Sequence, residues 1–419
     1  MPNRWTGWIA LICLCTAVQA ANWPQWRGPQ NNGVSAEDRP PLRWGESKNV
    51  LWKLALPGRA GSTPAVWGDR IFLTSAEGKE GLVLVCASTS GKLLWKRKIS
   101  DGNRGHSEGN RSSPSPSTDG KHVWAFYGTG DLVCYDLAGE KVWSADIQDR
   151  YGKFRLGFGM HMTPVLHDGR LYLQLIHSGG AQVVALDANS GREIWKRERP
   201  SDGVAECEHS YASPVIWSNG RSAYLVTHGN DYAVAHGLND GREIWRLGDL
   251  NPKSRYNRTL RFVASPVAAA DLIVVPSAKN GPVVGVKPDA RGMISDGNKR
   301  AVRWWRPKNT PDVPSPLIYD GMVYLCRENG VLICLDAATG QEYYTQSVHR
   351  RKHRASPVAA GGRVYLTGDD GTVSVVKAGR TYELLAQNKV DDQTLASPVI
   401  VGGRVYIRGF ASLYAIGER

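Results

Sequence analysis

The sequence predicts an all-β fold: an eight-bladed β-propeller of four-stranded antiparallel blades, closed by an N-terminal strand that completes the last blade. Three observations predict it. First, a phrase recurs along the chain: Ser/Thr-Pro, a few apolar residues, a Gly-Arg-Val-Tyr-Leu-like strand, a turn, a second apolar strand, then Gly-x-x-x-Trp. Second, its proline falls at Pro64, Pro116, Pro164, Pro214, Pro266, Pro316, Pro357 and Pro398, a mean spacing of about 48 residues. Periods of roughly 40–50 residues built from strands and turns are those of propeller blades. Third, the last copy stops at Leu413-Tyr414-Ala415-Ile416 without its Trp-bearing strand, and an orphan strand, Val50-Leu51-Trp52-Lys53-Leu54, precedes the first copy. Placing that strand at the outer edge of the last blade ties the two chain ends together and removes an open sheet edge.

Composition agrees. The 419 residues are 42% hydrophobic and 22% charged, enough to bury a core and too apolar for disorder. There are 46 glycines, with 15 Trp and 16 Tyr against 6 Phe, which suits a turn-rich chain with aromatics at strand ends.

The strands read directly from the third copy. Gly169 to Leu175 alternates leucine with larger or polar residues, the period of two of a strand. Gln182 to Asp187 is the next strand, Ala188-Asn189-Ser190-Gly191 the turn, and Arg192-Glu193-Ile194-Trp195 opens the outer strand. The sixth copy repeats this order from Val331 to Gly340. The fifth carries an insertion, Asp289 to Arg303, rich in Gly, Lys and Arg, which is expected to be a surface loop. The recurring tryptophans Trp52, Trp95, Trp143, Trp195 and Trp245 keep a fixed phase, which assigns them to contacts between blades.

Residues 1–20 read as a secretory signal peptide. Arg4 supplies the positive start, Trp8 to Cys15 the short apolar run, and Val18-Gln19-Ala20 before Ala21 a cleavage site. The run is shorter than the ~20 residues of a spanning helix. Cys13 and Cys15 follow Ile12 and Leu14, whereas a lipidation site wants a small residue there. The expected organisation is therefore a leader (1–20), an extension that packs on or tethers the propeller (21–49), and the propeller (50–419). The mature chain is expected to be exported, periplasmic or secreted, without a transmembrane helix. The remaining cysteines, Cys86, Cys134, Cys207, Cys326 and Cys334, are odd in number and contain no CxxC pair. Most read as buried apolar side chains, Cys86, Cys134 and Cys334 by their common slot in the repeat, and neither a disulfide framework nor a zinc site is expected.

The segment Ala185-Leu186-Asp187-Ala188-Asn189-Ser190-Gly191-Arg192-Glu193-Ile194-Trp195 resembles the tryptophan-docking motif of the pyrroloquinoline-quinone (PQQ)-like β-propeller repeat family. Trp23-Pro24-Gln25-Trp26-Arg27-Gly28-Pro29, with Gly33-Val34-Ser35, resembles the opening of a secreted bacterial branch of it. The resemblance implies the propeller fold. In the family's enzymes it also implies PQQ over the central channel with calcium, a tryptophan under the quinone and an aspartate base. In the alcohol dehydrogenases it adds a disulfide between adjacent cysteines. This sequence has no Cys-Cys pair and no Glu/Asn/Asp set that aligns with a calcium site, so no cofactor is expected and PQQ with calcium stays an alternative. A relative by fold is the lipoprotein propeller of the outer-membrane protein assembly machinery, from which this chain departs in lacking the acylated cysteine.

The residues just before each Ser/Thr-Pro should ring one mouth of the channel. They are Arg59, His106 with Glu108 and Arg111, His161, Glu208 with His209 and Tyr211, Arg261, Asp312, His353 with Arg354, and Gln393. The set is basic and rich in histidine. It reads either as a funnel for an anionic or polyhydroxylated ligand or as solvated loop ends bonded to neighbouring blades. No phosphate loop, GxSxG elbow or HExxH motif is present, and nothing in the sequence points to a Ser/His/Asp triad, so no catalytic residue is assigned. The basic run Arg350-Arg351-Lys352-His353-Arg354 lacks the aromatic module of a nucleic-acid binder, and no nucleic-acid partner is expected. The net charge of +13 favours association with acidic surfaces. The functional expectation is an exported, non-catalytic, monomeric binding or scaffold module with an envelope protein partner. The alternatives are a PQQ-dependent oxidoreductase-like protein and a carbohydrate or glycoconjugate binding or processing protein using the funnel.

Overall fold

Proline suits the first position of a strand, where its fixed φ is tolerated and its missing amide is not needed by the ladder. Each Ser/Thr-Pro accordingly starts an innermost strand: Ala65–Trp67, Ser117–Thr118, Val165–His167, Val215–Ser218, Val267–Ala269, Leu317–Tyr319, Val358–Ala360 and Val399–Val401. The structure, a computed structural model, describes residues 22–46, 48–104 and 109–418. The leader, His106 and Glu108 lie outside the described residues. No helix among them is long and apolar enough to cross a membrane.

From each innermost strand the chain steps outward by antiparallel hairpins. Blade 3 shows the pattern: Val165–His167, Arg170–His177, Gly180–Asp187 and Glu193–Glu198 pair in that order. Blade 8 is completed by Val50–Ala55, which pairs antiparallel with Ser412–Ile416, Lys53 opposite Tyr414. The ring is thus eight blades closed by the N-terminal strand, as the repeat count predicts. One blade departs. Within the Asp289–Arg303 insertion, Gly292–Ile294 pairs parallel with Glu243–Leu247 and makes blade 4 five-stranded. The expected loop therefore contains a strand; Ile294, fully buried in the core shared by blades 4 and 5, draws it onto the edge.

The outer girdle follows one local rule. The indole Nε1 of Trp52 donates to Thr89 O (2.9 Å), Trp95 to Leu137 O (3.1 Å), Trp143 to Ala188 O (2.9 Å) and Trp195 to Leu238 O (2.9 Å). Each acceptor sits in the hairpin turn of the next blade. The ring packs on that turn's glycine: a Cβ on Gly191 (φ +67°) would lie 2.8 Å from the Trp143 ring. Only glycine offers both the left-handed φ and the space. Trp245 behaves differently. Its Nε1 faces the Tyr224 hydroxyl of its own blade (3.3 Å), because the insertion replaces the docking turn in blade 5. Trp304, after the insertion, takes the girdle role toward blade 6 and donates to Ala337 O (2.9 Å). Cys86 and Cys134 stand directly opposite Trp95 and Trp143 in the strand pairing. All five described cysteines are free and buried. Burial pushes the Cys86, Cys134 and Cys326 thiols up to about 12, so packing is their role.

The N-terminal segment crosses the face opposite the blade-to-blade connections. Trp23 exchanges backbone hydrogen bonds with Val66 of blade 1, and Pro24 O accepts from Thr118 N of blade 2. Gln25 Oε1 accepts from Leu166 N of blade 3. Further on, Ser35 bonds blades 7 and 8, Glu37 accepts from Gly402 and Gly403, and Trp44 stacks on Tyr365.

Two predictions follow from this packing. Trp195→Ala removes a buried ring and its indole bond, and urea unfolding should show a loss of about 3–5 kcal/mol. In blade 4, burial holds His228 and His236 neutral, with pKa values pushed down to about 3. A depressed histidine contributes stability above the unfolded pKa of about 6.5 that is lost as pH falls toward the folded value. The urea midpoint should therefore drop as pH is lowered from neutrality toward about 4, and His236→Gln should weaken that pH dependence.

Candidate functional site: a blind central channel

Ring closure places one hydroxyl residue of every blade at the axis. Thr63 N donates to Ser115 Oγ (2.9 Å), Ser115 N to Thr163 Oγ1 (3.0 Å), Thr163 N to Ser213 Oγ (2.9 Å) and Ser213 N to Ser265 Oγ (2.8 Å). Ser265 N donates to Ser315 Oγ (2.9 Å), Ser315 N to Ser356 Oγ (3.0 Å), Ser356 N to Ser397 Oγ (3.0 Å), and Ser397 N returns to Thr63 Oγ1 (3.2 Å). The circuit passes once through every blade. All eight side chains line a cavity of about 430 Å³.

The far end of the cavity is floored by Trp26. The following residue anchors it. Arg27 is 3% exposed and donates to Pro316 O (2.6 Å), Pro357 O (3.0 Å) and Asn32 O (3.0 Å). Burial without a nearby carboxylate pulls its pKa down to about 9, so it stays charged at neutral pH. Its backbone is left-handed (φ +68°), a conformation held by these contacts.

The mouth is aromatic and charged. The Arg261 guanidinium lies over the Phe158 ring at 4.5 Å, and Phe158 meets Tyr211 edge-on at 5.9 Å. His161 Nε2 is 2.7 Å from Phe158 O. Burial pushes the Tyr211 hydroxyl up to about 12. On the other wall Glu328 meets Arg354 at 3.0 Å and Lys352 at 3.8 Å. Burial raises the Glu328 pKa, opposed chiefly by Lys352. A shallower basic groove adjoins this wall, lined by Lys279, Arg327, Arg350, Arg351 and Lys352.

Of the residues read from sequence as mouth candidates, His161, Tyr211, Arg261, Asp312 and Arg354 line the cavity together. Others are placed elsewhere. Arg59 packs over Phe410 at 4.3 Å. Arg111 is held against Gly128 O (2.6 Å). His209 is buried behind Tyr211, its ring 6.5 Å away. His353 is fully buried, with Nδ1 on Arg351 O (2.9 Å), because the connection it belongs to pairs with Gly368 and turns its side chain inward. The basic run 350–354 is thereby split between the groove, the cavity wall and the core. The sequence reading missed Trp26, Phe158, Glu328, Lys352 and the hydroxyl ring. The ring carried a signal, since a Ser or Thr precedes every repeat proline, and Trp26 stands in the Trp-Pro-x-Trp-Arg opening.

The donor set does not fit PQQ with calcium. Among the described residues the cavity's carboxylates are Asp312 and Glu328, the latter tied to Arg354, and no three His, Cys, Asp or Glu gather as a metal cage. Cys pairing is absent among the described residues. A hard cation needs several oxygen ligands converging on one point.

Fold and channel together define a propeller of the PQQ-like repeat class, pinned at its rim by tryptophans docked on glycine turns. The family described as outer membrane protein assembly factor BamB matches residues 35–153, 130–292 and 295–416, and the chain belongs to that family. The structure is similar to BamB from Moraxella catarrhalis, at 14% identity and a TM-score of 0.59, over 88% of this chain and 97% of that one. It is also similar to the quinohemoprotein alcohol dehydrogenase of Comamonas testosteroni, at 14% identity and a TM-score of 0.67, over 97% of this chain and 82% of that one. Likeness at this identity concerns the fold. A polyvinylalcohol dehydrogenase from a Pseudomonas species is 26% identical over 210 residues, 46% of this chain; the chain spans 29% of that relative's length.

Arg27→Met should leave the Pro316 and Pro357 carbonyls without their donor and cost about 2 kcal/mol or more. Hydrogen exchange should then rise at residues 23–35 while the blade strands stay protected.

Proposed function

We propose that the chain is an exported propeller acting as a non-catalytic binding or scaffold module in the bacterial envelope. The observation that carries this reading is membership, across nearly the whole ring, of a family described by outer membrane protein assembly. The leader read from the sequence supports export to the same compartment. The propeller supplies a rigid platform whose ring needs no partner to complete its core, so the module works as a monomer that docks an envelope protein through its faces. The fully spliced blade 8 and the strapped far face leave the mouth side as the more varied surface.

A second reading concerns the channel. Its blind end, its aromatic floor and its Arg261, Lys352 and Arg354 wall favour a small anionic or polyhydroxylated ligand bound without chemistry. Arg59, Arg111, His209 and His353 then support the mouth from behind instead of touching the ligand.

Deleting the gene should lower the amount of outer-membrane β-barrel proteins, and the mature chain should co-purify in fixed stoichiometry with an envelope protein identified by mass spectrometry. Unchanged β-barrel levels together with dye-linked alcohol oxidation by the chain supplied with PQQ and Ca²⁺ would overturn the proposal.

A further inference from the structure

The hydroxyl ring has an unspent capacity. In every member the side-chain oxygen accepts an amide from the preceding blade, which directs its O–H proton away from that amide. Among the described residues none of these eight hydroxyls donates a hydrogen bond. All eight are more than nine-tenths buried, from Thr63 at 1% to Thr163 at 7% exposed, and all line the cavity. A buried donor without an acceptor is costly, so the ring calls for an occupant rich in acceptors.

Charge says which kind. Arg27 lies beside the prolines that follow Ser315 and Ser356, bonded only to carbonyls. Arg408 is also fully buried; it bonds Ser62 Oγ (3.2 Å), next to Thr63, and Gly58 O (3.3 Å). Arg27 has no carboxylate nearby, and Arg408 feels that of Asp392 without bonding it. At the mouth the Arg261 guanidinium lies over Phe158 with no carboxylate ion pair among the described residues, while Glu328 is bonded to Arg354 and Lys352. The ring therefore sits between cations on both sides with donors pointing inward. A neutral polyol would satisfy the donors and leave the field unanswered; an oxyanion satisfies both.

We propose that the hydroxyl ring is the seat of a small oxyanion: the carboxylate or phosphate group of a molecule that enters past Arg261 and Lys352 and rests against Trp26, Phe158 and Tyr211. This rests on the reading of the channel as a ligand site and adds where the ligand is held and what chemistry it carries. The adjoining groove of Lys279, Arg327, Arg350 and Arg351 gives such an anion an attractive approach.

The test is calorimetric titration of the full mature chain with inorganic phosphate, glucuronate and glucose, the first two separating a phosphate from a carboxylate ligand. Phosphate or glucuronate should bind saturably, and glucose should not. Ser315→Ala with Ser356→Ala should weaken the anion by about tenfold or more, as should Arg261→Met, while Ser315→Thr, which keeps the hydroxyl, should bind as the parent does. Equal anion binding by the folded double-alanine chain would overturn the proposal. Glucose binding as tightly as glucuronate would overturn it too, yet leave the channel a ligand site. No binding of any of the three at millimolar concentration would sink both readings. Should the alanine variant not fold, crystals of the parent chain soaked in selenate decide: an anomalous peak within hydrogen-bonding distance of Ser315 and Ser356 Oγ supports the site, and its absence from the ring overturns it.

Discussion

One circuit of hydrogen bonds, amide to hydroxyl from Thr63 around to Ser397 and back, joins every blade to the next at the axis. Innermost strands of neighbouring blades splay apart and cannot pair as a sheet, so their first amides need acceptors from outside their own ladders. A short hydroxyl side chain one blade away supplies each. The proline after it holds the chain extended as it turns into the strand. This constraint explains why the repeat opens on Ser/Thr-Pro in every copy. It also makes the channel wall polar although the blades on either side of it are packed with Val, Leu and Ile.

At the rim a second device repeats with less symmetry. Trp52, Trp95, Trp143, Trp195 and Trp304 each reach a carbonyl in the next blade's turn. Blade 6 places Tyr344 in that position and blade 7 places Ala386, opposite Cys334 and Val375 in their strand pairs. The rim thus tolerates variation that the axis does not. Packing compensates there: the apolar clusters run continuously from one blade into the next, and the core of blades 7, 8 and 1 also takes in Trp23 and Trp44 from the N-terminal segment.

That segment changes the character of the molecule. A bare ring would have a channel open at both ends. By bonding successive blades and inserting Trp26 and Arg27 at the axis, it closes one end and brings a permanent charge under the hydroxyls. Arg27, Arg199 and Arg408 are all buried with carbonyl, hydroxyl and amide oxygens as partners. Buried cations held in this way cost desolvation that the carbonyls only partly offset. They place three positive charges inside the chain, where solvent screens them least.

The repeat made the fold legible. Blade number, strand order, the N-terminal closure of blade 8 and the packing role of Cys86 and Cys134 all follow from local period and turn chemistry, which act over a few residues. The site was legible only in part. His161, Tyr211, Arg261, Asp312 and Arg354 were found by counting back from each proline, because the blade phase sets where a connection begins. The phase does not set where its side chains point. His353 and Arg354 are neighbours, yet one is buried and the other lines the cavity; Trp245 shares the motif of Trp195 but meets its own blade. Those outcomes depend on what the adjacent blade offers, a distance of some 40 residues in sequence and one van der Waals contact in space. The sequence by itself determined the blade ring and carried, in the Ser or Thr before each repeat proline, the signal of the hydroxyl circuit. Only the tertiary structure decided that the ring's hydroxyls face a cavity closed at one end, since the residues that close it, Trp26 and Arg27, meet the last blades only after the chain has come full circle.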